Sequence, residues 1–172
     1  PMFSVSSIVS FILRRFFLNA PPAGYTGVLG KIIGLLPDGA LSKLASLEGG
    51  VNLGGLVDLE GLSHDPKTKE NYQSDDLVSM KLNTKLLLGM INNSRLTFSN
   101  PLNPLCPAYC TVGAHDNIVC PDALEKYFST IENKFHFKSI PDAYHEIHNE
   151  VERLRRPYFK FLKEKLMDSL EA

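Results

Sequence analysis

The sequence predicts an α/β fold whose second half contains two parallel strands and two helices. Residues 108–112 form a short apolar run ended by Gly113, as in a strand buried on both faces of a parallel sheet. Residues 134–140 alternate apolar and polar side chains, which indicates a second strand. Residues 121–132 and 151–170 carry apolar side chains at helical spacing. Strand, helix, strand and helix over about 65 residues predict a right-handed βαβ crossover followed by a helix.

The first half of the sequence predicts helices and loops. Residues 5 to about 18 are mostly apolar and predict a helix that ends before the prolines at 21 and 22. Residues 24–39 are rich in glycine and predict a loop with one helical turn at 28–36. Paired glycines within residues 41–60 predict an irregular surface segment. Leucines at helical spacing predict a helix over residues 82–92.

Length, charge and cysteine content restrict the class of protein. A chain of 172 residues is typical of one domain. A net charge of −1 with scattered lysine and arginine provides no basic surface for phosphates, so we do not expect nucleic acid as a partner. Cys106, Cys110 and Cys120 lack the paired spacing of a zinc site and indicate free thiols in a reducing compartment. We therefore expect a cytoplasmic protein, with association to a membrane surface as the alternative.

Two polar residues, Asp116 and His145, follow the two predicted strands closely. Because the carboxyl ends of neighbouring parallel strands meet at one edge of a sheet, we expect the carboxylate and the imidazole to meet there. A carboxylate that binds one ring nitrogen makes the other nitrogen a general base for a hydroxyl group. From local sequence alone, Asp116 is equally well explained as a turn or cap residue, and His145 as an ordinary loop histidine.

The other histidines predict no metal site. His145 and His148 are three residues apart, whereas the zinc-binding helix of metalloproteases spaces its histidines by four. We expect neither a metal nor a cofactor, and we predict that His148 and Glu150 brace the histidine loop by hydrogen bonds. His64, His115 and His136 are interpreted as surface or loop residues.

Three segments carry a resemblance to a known family. "CPAYCTVGAHDNIVCPDALEKYFS" and "FKSIPDAYHEIHNE" resemble the acid-bearing loop and the histidine loop of the monoacylglycerol lipase and lysophospholipase group of α/β-hydrolases, the serine aminopeptidase type. "GLSHDPKTKENYQSDDLVSMKLNTKLL" is similar to the segment that closes the cap of that group, although Asp76 stands where the family usually has proline. The resemblance covers residues 62–172, and residues 1–61 match by position only.

The resemblance implies the C-terminal part of an α/β-hydrolase fold, with its last parallel strands and helices, preceded by a helical cap. Residues 1–95 would be the cap or lid region with its flanks, and residues 96–172 the C-terminal part of the core. The apolar segment at residues 6–18 would either pack against the sheet or form part of a lid whose exposed face contacts lipid. The resemblance favours the lid and, with it, peripheral contact of the cap with a membrane.

The resemblance also implies a function. It is that of a serine hydrolase cleaving carboxylic esters of lipids, above all monoacylglycerol to glycerol and fatty acid, with Asp116 and His145 as the catalytic acid and base. The GxSxG motif that carries the nucleophile does not occur in the sequence. Because the chain begins with Pro1 rather than methionine, we expect the serine to lie upstream and this chain alone to be inactive. A lysophospholipase, another esterase or peptidase, and a catalytically dead binding module stay open as alternatives.

Overall fold

The structure is a computed structural model that describes residues 15–35, 37, 39–40, 43, 50–54, 58–131 and 135–168. Its elements, in chain order, are β1 (Phe16–Asn19), α1 (Gly27–Leu35), β2 (Asn52–Gly54), α2 (Pro66–Ser74), β3 (Lys81–Asn83), α3 (Thr84–Phe98), β4 (Ala108–Gly113), α4 (Pro121–Ser129), β5 (Phe135–Ile140), a 3₁₀ turn (Ile147–Asn149) and α5 (Glu152–Met167).

A three-stranded parallel sheet in the order β1-β4-β5 organises the fold. All six residues of the central strand β4 are buried, which explains the uninterrupted apolar run in the sequence. β4 pairs with β5 from Ala108 opposite Phe135 to Gly113 opposite Ile140, so both strands end at the same edge of the sheet. The predicted α/β class with parallel strands is confirmed.

The helix predicted over residues 5–18 is wrong at its carboxyl end, where β1 is a strand. Phe16 to Asn19 lie opposite Ala108 to Thr111, and the amide of Ala20 continues the pairing by donating to the carbonyl of Thr111 over 2.8 Å. A free edge of β4 would leave buried backbone groups without partners, so tertiary pairing overrides the local apolar pattern. Residues 5–14 lie outside the described residues, and the domain division at residue 95 stays a prediction.

The other helices of the first half also differ from the prediction. α1 has nine residues instead of a single turn, and the predicted helix 82–92 is α3, which begins at Thr84 because the side chain of Asn83 caps it by accepting from the amide of Lys85 over 3.0 Å. β2 and β3 form a small antiparallel pair in this region. α2 was not predicted, because its faces are almost entirely polar and give no hydrophobic period.

Helices cover both faces of the main sheet. α4 contributes Leu124 and Phe128 to a core cluster with Cys110 and Val112 of β4, and burying a side chain such as that of Leu124 contributes about 1.5–3 kcal/mol. On the opposite face, Tyr109 contacts Phe161 of α5 edge to face, with ring centroids 5.9 Å apart. The covered sheet thus holds the carboxyl ends of β4 and β5 in fixed relation.

An aromatic ladder crosses the sheet at a single register position. Phe17, Tyr109 and His136 lie opposite one another on β1, β4 and β5. The ring centroids of Phe17 and Tyr109 are 4.9 Å apart, and those of Tyr109 and His136 are 5.1 Å apart, both stacked. Stacked neighbours of this kind add cross-strand stabilisation beyond the backbone pairing.

Among the described residues, no helix combines the length and hydrophobicity needed to cross a bilayer.

Candidate active site

Asp116 and His145 meet at the carboxyl edge of the sheet. The Nδ1 atom of His145 lies 2.8 Å from Oδ2 of Asp116. The side chain of Asp116 is fully buried, whereas a quarter of the His145 side chain (25%) is exposed. Because a carboxylate only accepts hydrogen bonds, Nδ1 carries the proton in this contact, and Nε2 of the neutral ring keeps its lone pair. The expected contact between the carboxylate and the imidazole is thus present in the structure. The catalytic role of the two residues stays a prediction.

The turn after β4 fixes the orientation of the Asp116 carboxylate, so that Oδ2 contacts His145. Its Oδ1 atom accepts from the amides of Ile118 and Val119 over 2.8 and 3.0 Å. This arrangement is an Asx turn, in which a short polar side chain satisfies amides two and three residues further on. The two explanations of Asp116 are therefore compatible, since one carboxylate oxygen shapes the turn and the other binds His145.

The histidine loop, which we define as residues 141–151, rests directly on the end of β4. The amide of His115 donates to the carbonyl of Ala143 over 3.0 Å. At Gly113 the approach is so close that a Cβ atom would lie 2.1 Å from the carbonyl oxygen of Tyr144. Sequence reasoning assigned Gly113 only to the end of a strand. A glycine at a strand end next to the acid was the signal for this contact, because glycine often marks a close backbone approach.

A second segment, residues 61–65, binds the histidine loop through several hydrogen bonds, and we call this segment the clasp. The amide of Glu146 donates to the carbonyl of Leu62 over 2.8 Å, and the amide of His145 lies 3.5 Å from the carbonyl of Gly61. The hydroxyl of Ser63 donates to the carbonyl of Asn149 over 2.8 Å and accepts from the amide of Asp65 over 2.9 Å. The buried hydroxyl of Ser63 is thus part of the clasp.

Glu150 joins the clasp to the histidine loop. Its carboxylate is fully buried and accepts four hydrogen bonds: at Oε1 from Nδ1 of His64 and the amide of Tyr144, both over 2.8 Å, and at Oε2 from the amides of His64 and Val151, both over 3.1 Å. Burial raises the pKa of Glu150, but the hydrogen bonds from Tyr144 and His64 outweigh burial and hold this pKa below its usual value. The prediction that Glu150 braces the loop is confirmed.

The two remaining loop predictions concern histidines. His148 is exposed, and its side chain makes no hydrogen bond to another described residue, so it does not share the bracing role of Glu150. His64 lies in a loop, as we interpreted it. It also binds Glu150 and stacks on the ring of Tyr144 with centroids 3.8 Å apart. No local pattern in the sequence marked His64, because its partner is 86 residues away.

A tyrosine on α2 holds the residue that follows His145. The hydroxyl of Tyr72 donates to Oε1 of Glu146, whose Oε2 accepts from the side-chain amide of Asn149 over 2.7 Å. The hydrogen bond to Glu146 is the main cause that raises the pKa of Tyr72 to about 12. Among the described residues, no group of three or more histidine, cysteine, aspartate or glutamate side chains is arranged to hold a metal ion.

Known proteins share this fold. A family model described as "Serine aminopeptidase, S33" matches residues 16–152. The monoacylglycerol lipase of Paleococcus ferrophilus has a TM-score of 0.72 and 19% identity, over 88% of this chain and 58% of that one. A soluble variant of the monoglyceride lipase of Saccharomyces cerevisiae, solved with a substrate analog, has a TM-score of 0.71 and 18% identity, over 90% of this chain and 53% of that one. The chain thus spans little more than half the length of these two structures. No curated protein matches it significantly.

Proposed function

Because the chain belongs to the serine aminopeptidase S33 family and has part of an α/β-hydrolase fold, we propose that Asp116 and His145 are the acid and base of a serine hydrolase that cleaves carboxylic esters of lipids. The observation that carries this proposal is the contact of 2.8 Å between Nδ1 of His145 and the fully buried carboxylate of Asp116. It lies at the carboxyl edge of the parallel sheet, where reactive groups of such sheets are found.

His145 would act as base and then as acid. Its Nε2 atom takes the proton of a serine hydroxyl as the serine oxygen attacks the ester carbonyl, and it then gives this proton to the departing alcohol oxygen. Nε2 next takes a proton from water, which attacks the acyl-enzyme, and returns it to the serine as the fatty acid leaves. Asp116 stabilises the imidazolium in each step through its Oδ2 atom. We place the serine in a segment upstream of Pro1 and expect the present chain alone to be inactive.

We propose monoacylglycerol as the substrate. Support comes from the two solved structures of the same fold, which are a monoacylglycerol lipase and a monoglyceride lipase. Enclosing the acyl chain would favour long chains by about 0.8 kcal/mol per buried methylene group. Cys106, Cys110 and Cys120 are free thiols, which suits the reducing cytoplasm in which we place the protein.

The first test is the transcript upstream of the codon for Pro1. The proposal expects an open reading frame that encodes a strand followed by GxSxG. A nearby start codon without that motif would overturn the serine-hydrolase proposal for this chain and support a binding module. With the longer protein in hand, release of fatty acid from monoacylglycerols is the assay. Turnover of lysophospholipids alone would refute the monoacylglycerol specificity and keep the reaction class.

Substitution of the two site residues tests their roles. Asp116→Asn keeps an oxygen for the amides of Ile118 and Val119, but its NH₂ group then faces Nδ1 of His145. The imidazole must present a lone pair at Nδ1 and carry its proton on Nε2, so the base is lost and kcat should fall by about 10⁴-fold. His145→Ala should lower kcat by several orders of magnitude. His148→Ala is the matched control, because His148 lies in the same loop and is exposed. Wild-type rates in the first two variants would refute the assignment.

A further inference from the structure

A second histidine–carboxylate pair lies beside the first. The distance from Nδ1 of His64 to Oε1 of Glu150 is 2.8 Å, equal to the distance between His145 and Asp116. The glutamate is fully buried and 30% of the His64 side chain is exposed. An ionised carboxylate is costly to bury unless hydrogen-bond donors satisfy it. A buried glutamate with four donors is therefore more than a residue that fills space in the core.

The partners of Glu150 show what the pair connects. His64 supplies both its ring Nδ1 and its backbone amide, one to each carboxylate oxygen, and so binds the glutamate in a two-point contact. The amide of Tyr144 directly precedes His145, and the amide of Val151 lies at the carboxyl end of the histidine loop. The carboxylate of Glu150 therefore joins two parts of the histidine loop to each other and joins the loop to the clasp through His64.

The hold on His145 itself comes from its neighbours. The amide of His145 approaches the carbonyl of Gly61 only to 3.5 Å, beyond the usual range of such bonds. The adjacent amide of Tyr144 instead donates to the charged oxygen of Glu150 over 2.8 Å, and bonds to charged acceptors are roughly twice as strong as neutral ones. Glu150 thus fixes the backbone on the amino-terminal side of His145, and the bond from the amide of Glu146 to the carbonyl of Leu62 fixes it on the other side.

From this geometry we infer that Glu150, held by His64, is a positioning residue that keeps the imidazole of His145 aligned with Asp116. The inference rests on the proposed function, because alignment matters only if His145 is the base. Glu150 acts through the backbone and does not touch the reacting atoms.

Two variants separate the contribution of the Glu150 carboxylate from that of the His64 ring. Glu150→Gln replaces one carboxylate oxygen by an NH₂ group. At the Oε2 position the NH₂ group would face the amides of His64 and Val151, and both hydrogen bonds would be lost. At the Oε1 position it would lose the bond from the amide of Tyr144 and would force Nδ1 of His64 to accept instead of donate. His64→Phe keeps an aromatic ring next to Tyr144 and the backbone amide of residue 64. It removes both ring nitrogens, of which Nδ1 binds Glu150. His148→Ala is again the control in the same loop.

The readout is the Nδ1 proton of His145, followed by ¹H NMR in the 172-residue chain labelled with ¹⁵N-histidine. A proton shared between imidazole and carboxylate resonates far downfield, and its loss in Asp116→Asn assigns it. We expect this resonance to be lost in Glu150→Gln and His64→Phe, or its proton to exchange with water at least about tenfold faster. The amide spectra of both variants should remain those of a folded protein. His148→Ala should leave it unchanged. An unaltered resonance in both folded variants would overturn the inference, and His64→Phe decides alone if Glu150→Gln does not fold.

Kinetics of the longer protein add a readout that a purely structural role would not move. Misalignment of the base should lower kcat by up to about 100-fold with little change in KM, well below the temperature at which the variants unfold. Unchanged kcat in His64→Phe, with normal turnover in the wild type, would overturn positioning. Absence of turnover in the wild type, with the resonance still dependent on Glu150, would instead overturn the esterase and retain the alignment of His145 with Asp116.

Discussion

Replacing Gly113 by alanine tests how closely the histidine loop must approach the sheet. The new Cβ atom would lie 2.1 Å from the carbonyl oxygen of Tyr144 and 2.3 Å from that of Ala143, and both oxygens belong to backbone that cannot rotate away. Side-chain carbons essentially never come closer than 3.0 Å, so the loop or the strand end must move by about 0.9 Å, the difference between 3.0 and 2.1 Å. Gly113 is not among the glycines with positive φ, so the cost comes from overpacking and not from backbone strain.

The expected loss of stability follows from two opposing effects. Overpacking costs about 1–3 kcal/mol, and the reduced freedom of the unfolded chain returns about 0.4–1 kcal/mol. We expect the free energy of unfolding in urea to fall by about 1–2 kcal/mol. A shift of this size in the loop should also lower kcat of the longer protein by about 100-fold.

A matched substitution provides the control. Gly89 lies within α3, and a Cβ atom there would meet nothing within 4 Å. Gly89→Ala should therefore raise the free energy of unfolding by about 0.5–1 kcal/mol. If Gly113→Ala were as stable as Gly89→Ala and equally active, the close approach of loop and strand would not exist in the molecule.

Two further predictions concern ionisable groups. Because its hydrogen bonds hold the pKa of Glu150 below its ordinary value of 4.5, the ionised group adds stability that is fully present above that value and is lost as the pH falls through the lower folded pKa. The stability difference between wild type and Glu150→Gln in urea titrations should therefore shrink in acid, and a constant difference down to pH about 2 would contradict the linkage. Burial raises the pKa of Cys110 to about 12, so a thiol reagent at neutral pH should modify only Cys106 and Cys120 until the protein unfolds. Cys110→Ala should show the same number of reactive thiols in the native state, and rapid modification of all three in the wild type would contradict the burial of Cys110.

The sequence predicts the carboxyl half of the fold well because its signals are local. β4 and β5 carry their own hydrophobic patterns, and the parallel crossover then places Asp116 and His145 at one edge without further information. β1 has no such signal, because the residues Phe16 to Leu18 suit a helix as well as a strand. Only pairing with the edge of β4 in the folded protein makes this segment a strand. The residue pair His64 and Glu150 is harder still, because a buried carboxylate is recognised only when its distant donors are known.

The aromatic ladder that crosses the sheet has a consequence for the alignment of the site. Sliding β5 by one residue along β4 would shift it by about 3.3 Å and turn each of its side chains to the opposite face. Such a slip would remove His136 from its stack on Tyr109. Because the histidine loop follows the end of β5, it would also draw His145 away from Asp116. Tyr109 lies four residues before Gly113, roughly 13 Å along the strand. Three rings remote from Asp116 and His145 thus favour, by their stacking, the strand register on which the contact between acid and base depends.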